Sequence, residues 1–191
     1  MVVFDATILL AFLQSDCPPP RHPDTNKPIG RFRERIDFLI KRLDKDKEKI
    51  IIPTPALSEI LVRAGSAGPE YLDRINTTSV FRPAPFDERG AVEVAEMTRK
   101  ALANEGGKRD GLDGTYAKIK YDRQIVAIAK VEGVRTVYSD DRNIYKFAGR
   151  NGITVIRIAD LPLPPEEPQK ELDLEDKAAD GGHDKTDTNG E

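Results

Sequence analysis

Val2-Val-Phe-Asp-Ala-Thr-Ile-Leu-Leu-Ala-Phe-Leu13 opens the chain with three β-favouring residues, an aspartate and an apolar run. Apolar residues without polar alternation read as a strand covered on both faces. Ile8 to Leu13 is apolar on every side and reads as a buried helix. A strand passing straight into a buried helix is the unit of a parallel α/β sheet. Asp5 stands at the joint.

The same rhythm continues outward. Ile50-Ile-Ile52, a weaker run near Val80, Thr136-Val-Tyr138 and Ile153-Thr-Val-Ile156 read as strands, with helical patterns between them. That alternation predicts a central parallel sheet flanked by helices. Thr54 reads as the N-cap of a helix with Pro55 at its first position, and Gly65 as its stop. Asp87 and Gly106 bracket another helix, and Gly133 and Gly152 mark further stops. Two segments interrupt the pattern. Cys17 to Pro28 holds five prolines and leads into a basic helix carrying Arg31, Arg33, Arg35, Lys41 and Arg42. Its apolar face, Phe32, Ile36, Leu39, Ile40 and Leu43, is expected to pack on the domain, and residues 17–48 read as an insertion. Gly106 to Gly114 is a mobile loop by composition.

With 191 residues, 38% hydrophobic and 33% charged, the chain suits one globular domain with a solvated appendage. The single cysteine, Cys17, excludes an internal disulfide, and with only His22 and His183 there is no Cys/His framework for zinc. Any bound metal must be held by oxygen. Ile8 to Leu13 lacks a basic leader, so a cytoplasmic protein without a membrane span is expected. The net charge of −3 is unevenly placed: residues 166–191 hold ten acids against three lysines, a net −7, which leaves residues 1–165 at +4. The tail from 164 to 191 has almost no large apolar residues and reads as disordered.

Ligands of an open parallel sheet gather outside the carboxyl ends of its strands, so acids following strands are the ones to examine. Asp5 and the pair Asp140-Asp141 qualify. Each has a plainer reading as a helix cap, yet one cap needs only one residue. Glu59 lies in Pro55-Ala-Leu-Ser-Glu-Ile-Leu-Val62; its plainer reading is an exposed pair with Arg63, against which the apolar surroundings argue. Asp122 is followed at +3, +4 and +7 by Ile125, Val126 and Ala129, which puts a carboxylate on an apolar stripe. Lys118, four residues earlier, offers it a salt bridge. Carboxylates converging in one pocket repel one another and call for a divalent cation. Hard oxygen ligands suit Mg²⁺ or Mn²⁺, and such a site generates hydroxide and stabilises a phosphodiester under attack.

These segments resemble the PIN-domain family in order along the chain. Val2 to Leu10 looks like its opening strand and helix, and Ile51-Ile-Pro-Thr-Pro-Ala-Leu-Ser-Glu-Ile-Leu61 is similar to its second motif, with Glu59 in the acid position. Tyr121-Asp-Arg-Gln-Ile-Val-Ala-Ile-Ala129 resembles the third, with Asp122 as the acid. Val137-Tyr-Ser-Asp-Asp-Arg-Asn-Ile144 resembles the fourth, with Ser139 as the hydroxyl; either Asp140 or Asp141 is its acid, Asp141 on the family spacing. The resemblance implies a PIN-like three-layer α/β sandwich over residues 1–160, a Mg²⁺- or Mn²⁺-dependent ribonuclease. Many members are VapC-type toxins of toxin–antitoxin pairs, so it further implies RNA, a small antitoxin and a second copy of the chain as partners. The length of residues 15–49 and the acidic tail depart from a compact toxin.

The candidate catalytic residues are Asp5, Glu59, Asp122 and Asp141. Asp5, Asp122 and Asp141 are the expected principal metal ligands, with Asp140 in reserve and Glu59 completing the set or positioning water. Thr7 and Ser139 are expected to hold carboxylates or waters in place. Arg31, Arg35, Lys108, Arg109, Lys118 and Arg123 form the candidate phosphate track, against a plainer reading as solvated helix faces. Rival readings are an RNA-processing nuclease that is not a toxin and a non-catalytic RNA- or protein-binding module. A hydrolase of the haloacid dehalogenase type needs a second aspartate two positions after Asp5, where this chain has Thr7.

Overall fold

The computed structural model describes residues 1–103 and 111–165. The acidic tail from residue 166, Gly106, Lys108 and Arg109 lie outside the described residues. Among the described residues five strands, β1 (Val2–Phe4), β2 (Ile50–Pro53), β3 (Phe81–Ala84), β4 (Thr136–Tyr138) and β5 (Thr154–Ile156), form one sheet. Their order is β3-β2-β1-β4-β5, and every pairing is parallel.

Position in the sheet explains each strand's composition. β1 is central, with Val2 opposite Ile50 and Val3 opposite Val137, and every residue of β1 and β2 is buried. Hence their unbroken apolar runs. β3 is an edge, where Pro83 is tolerated because its missing N–H breaks no interior ladder, and its signal near Val80 was accordingly weak. β5, the other edge, is only partly buried.

Among the described residues seven α-helices cover the sheet: α1 (Ala6–Leu13), α2 (Phe32–Lys45), α3 (Thr54–Ala64), α4 (Gly68–Thr77), α5 (Glu88–Ala103), α6 (Tyr116–Val131) and α7 (Arg142–Arg150). The cap assigned to Thr54 is displaced by one residue. Pro53 is the N-cap, and Thr54 is helical, its hydroxyl accepting from the Phe86 N–H at 3.1 Å. Asp87 caps as expected, accepting from the Gly90 N–H at 2.9 Å. Gly133 and Gly152 follow α6 and α7 with φ of +66° and +73°, a region glycine enters without strain.

The apolar face of α2 is buried in the domain, as its pattern led one to expect. At the flank of that face Arg33 donates to the carbonyls of Gln14 at 2.9 Å and Cys17 at 3.3 Å, satisfying groups left open at and just after the end of α1. Among the described residues no helix is long and apolar enough to cross a membrane. The strand order places β2 and β3 on one side of β1 and β4 and β5 on the other. A crevice therefore opens at the carboxyl ends of β1 and β4, where chain direction across the sheet switches.

Candidate active site

Asp5 closes β1 and is 4% exposed. Its backbone N–H continues the sheet ladder to the Tyr138 carbonyl at 3.1 Å, which holds it in register with the end of β4. It occupies the N-cap position of α1 yet makes no side-chain cap. Instead its Oδ2 accepts from Ser139 Oγ at 2.8 Å and from Thr7 Oγ1 at 3.3 Å. Both hydroxyls also accept backbone N–H groups, Ser139 from Asp141 at 3.0 Å and Thr7 from Asp140 at 3.4 Å. They tie the two strand ends together. Burial pushes the Asp5 carboxyl up to about 6, against the Ser139 hydrogen bond that favours its ionised form and with the charges of Asp141 and Glu59 raising it further.

Asp141 is at once a cap and a cleft residue. Its Oδ1 accepts from the N–H groups of Asn143 at 2.7 Å and Ile144 at 3.1 Å, starting α7, while its Oδ2 takes the Lys118 ammonium at 2.6 Å. Asp122, on α6, is 5% exposed. Its Oδ2 accepts from Asn143 Nδ2 at 3.1 Å and faces Lys118 Nζ at 3.3 Å. Burial raises the Asp122 carboxyl, as does the charge of Asp141; Lys118 and Asn143 work in the other direction. Lys118 is raised above the usual ammonium range, burial opposing and Asp141 and Asp122 outweighing it.

Asp5, Asp122 and Asp141 line one cleft of roughly 530 Å³ together with Glu59, Thr7 and Lys118. Glu59 comes to it from α3, and here the expectation from its apolar surroundings is corrected. The side chain is exposed and pairs with Arg63 at 2.7 Å, because Ile60 and Ala56 face the core while Glu59 lies on the cleft side of the same helix. Asp140 turns away from the acids. Its Oδ1 accepts from the Ile158 N–H at 2.8 Å, joining the end of β4 to the chain leaving β5. Burial raises its carboxyl.

The phosphate track is redrawn. Arg123 is fully buried, 5.6 Å from the Phe147 ring and within 3.3 Å of Thr98 Oγ1, so it is a core residue. Arg31 forks onto Glu34 at 3.0 and 2.7 Å, and Arg35 donates to the carbonyls of Gly30 and Leu161. Neither lines the cleft. Lys118 does. Two residues escaped the sequence reading. Asn143 bridges Asp122 to the Asp113 backbone, donating to its carbonyl at 2.7 Å and accepting from its N–H at 2.9 Å. Arg142 lines the depression adjoining the cleft. Both lie in the first turn of the helix that Asp141 caps, which was the available signal.

All four cleft acids offer hard oxygen donors, the set that suits Mg²⁺ or Mn²⁺, and no His or Cys lines the cleft. A buried carboxyl near 6 among like charges is a site whose ionised form gains from an added cation. The donor chemistry thus fits. Among the described residues no three such side chains are already arranged to hold a metal ion, and the one cation set between Asp122 and Asp141 is that of Lys118.

No family model matches the sequence, and no curated protein matches it. Solved structures do. A chain in the structure of FitAB bound to an IR36 DNA fragment is 17% identical, with a TM-score of 0.53 over 85% of this chain and 98% of that one. A chain in VapBC2 from Rickettsia felis, bound to a DNA fragment from their promoter, is 15% identical, with a TM-score of 0.54 over 82% of this chain and 98% of that one. At such identities the likeness concerns the fold, and together with the all-parallel sheet between helical layers it makes this chain a PIN-like α/β sandwich.

Proposed function

We propose that the chain is a divalent-metal-dependent ribonuclease acting as the toxin of a toxin–antitoxin pair. One observation carries the reading: Asp5, Glu59, Asp122 and Asp141, drawn from four elements, line a single cleft at the carboxyl ends of the central strands. Asp5, Asp122 and Asp141 would hold Mg²⁺ or Mn²⁺, which when bound makes water a nucleophile at neutral pH and offsets charge on the phosphodiester. The more exposed Glu59 carboxylate accepts the proton of the attacking water as its oxygen bonds to phosphorus, the P–O bond to the leaving ribose oxygen breaks, and that oxygen takes up a proton from solvent. Ser139 and Thr7 hold the Asp5 carboxylate, and Asn143 holds that of Asp122. Tyr121, exposed at the cleft, offers a face for a base of a single strand. Arg142 and Lys146, beside Asp24 and Asp113, line a neighbouring depression and offer cations for its phosphates.

The toxin role, with a small antitoxin and a second copy as partners, rests on the motif resemblance and on the fold shared with FitAB and VapBC2. A second reading, a non-catalytic RNA- or protein-binding module, is favoured by one observation: Lys118 already neutralises part of the acid cluster. Cleavage of an RNA panel in Mg²⁺, Mn²⁺ and EDTA, with folded Asp5→Asn and Asp122→Asn beside wild type, separates the two. Metal-dependent cleavage absent from both variants supports the nuclease. RNA or protein binding with no cleavage under any condition supports the module.

A further inference from the structure

We propose that the Lys118 ammonium is the resident cation of the acid cluster, which a divalent ion must displace, so that Lys118 sets how much metal the site requires. The inference rests on the metal-dependent reading above. Lys118 Nζ stands 2.6 Å from Asp141 Oδ2 and 3.3 Å from Asp122 Oδ2, bridging two of the three proposed ligands. An ammonium at these distances and a divalent ion compete for the same oxygen lone pairs, and two cations side by side repel.

The geometry also provides a place for the displaced group. Lys118 is in the first turn of α6, is 45% exposed and has a flexible four-carbon stem. It lines the acid cleft and also an adjoining depression of about 560 Å³, whose wall includes Asp113 and Asp140. A rotation of the stem carries the ammonium out of the acid cleft toward that depression, leaving the Asp122 and Asp141 oxygens to the metal. Asn143 keeps Asp122 in place meanwhile, because its hydrogen bond does not depend on Lys118.

The test is Mn²⁺ binding to the full chain by isothermal titration calorimetry, for wild type, Lys118→Met and Lys118→Arg, with melting temperatures in EDTA and in Mn²⁺. Lys118→Met is expected to bind Mn²⁺ about tenfold tighter than wild type or better, since an opposing charge beside the site is gone. Its metal-free form melts lower, and its gain on saturation exceeds that of wild type. Lys118→Arg, which retains the charge, stays within about twofold of wild type. Mn²⁺ binding by Lys118→Met that is no tighter than a measurable wild-type affinity overturns this inference and leaves the metal-dependent reading standing. No binding by any of the three chains overturns both.

Discussion

Ser139 Oγ donates to Asp5 Oδ2 at 2.8 Å across 134 residues of sequence, and accepts the Asp141 N–H at 3.0 Å. One buried hydroxyl thus sets the spacing between two of the proposed metal ligands. Ser139→Ala leaves a carboxylate oxygen short of a donor and a backbone N–H short of an acceptor. The expected cost is about 1–3 kcal/mol of stability. Supporting groups of this kind commonly contribute about 10–100-fold in metal affinity. Urea unfolding and Mn²⁺ titration of the folded variant check this, and an unchanged Mn²⁺ affinity would remove Ser139 from the site's supporting framework.

Asp5 makes the metal-free protein sensitive to pH in a definite direction. Its folded pKa of about 6 lies above the ordinary 3.8, so between these values the folded state keeps a proton that the unfolded state has released. Stability falls as pH rises through that window, and above it the buried charge costs about 3 kcal/mol. Asp5→Asn removes the penalty. In EDTA the variant is expected to match wild type near pH 4 and to exceed its stability by up to about 3 kcal/mol at pH 8, while losing activity. Denaturation at the two pH values decides, and a variant less stable than wild type at pH 8 contradicts the prediction.

Arg123 is a core residue despite its charge. Truncating it to alanine removes a long stem packed near Phe147 and its bond to Thr98, for an expected loss of about 2–4 kcal/mol. RNA affinity, measured where the variant is still folded, should stay within about twofold of wild type. A selective loss of RNA binding at undiminished stability would return Arg123 to the phosphate track.

Glu59 should behave in the opposite way. Its exposed pair with Arg63 contributes at most about 1 kcal/mol, so Glu59→Gln leaves unfolding nearly unchanged. If its carboxylate takes a proton from the attacking water, cleavage drops about 100-fold in the same preparation. Equal activity in the two proteins would assign Glu59 a surface role only.

Much of this was legible in local patterns. The strand–Asp–helix joint at Asp5, the unbroken runs of β1 and β2, the apolar face of α2 and the stop at Gly133 depend on near neighbours in sequence, where periodicity and backbone preference act. Weaker signals belonged to the edges of the sheet, where β3 tolerates Pro83 because only one side is paired.

The chain alone determined which acids follow strands and that they would meet at one end of a parallel sheet. Tertiary structure decided what each meets there. The Lys118 partner at i+4, Asp122, could be read from helical spacing, whereas its shorter contact is with Asp141, 23 residues away on another element. Asp141 rather than Asp140 faces the cleft because the Ile158 N–H beyond β5 holds the Asp140 carboxylate. Arg123 is buried because α6 packs against both α5 and α7, so a position that a one-sided amphipathic helix would expose is covered. Local chemistry specifies the elements, but charge pairing and burial depend on distances between elements, and those exist only once the layers have packed.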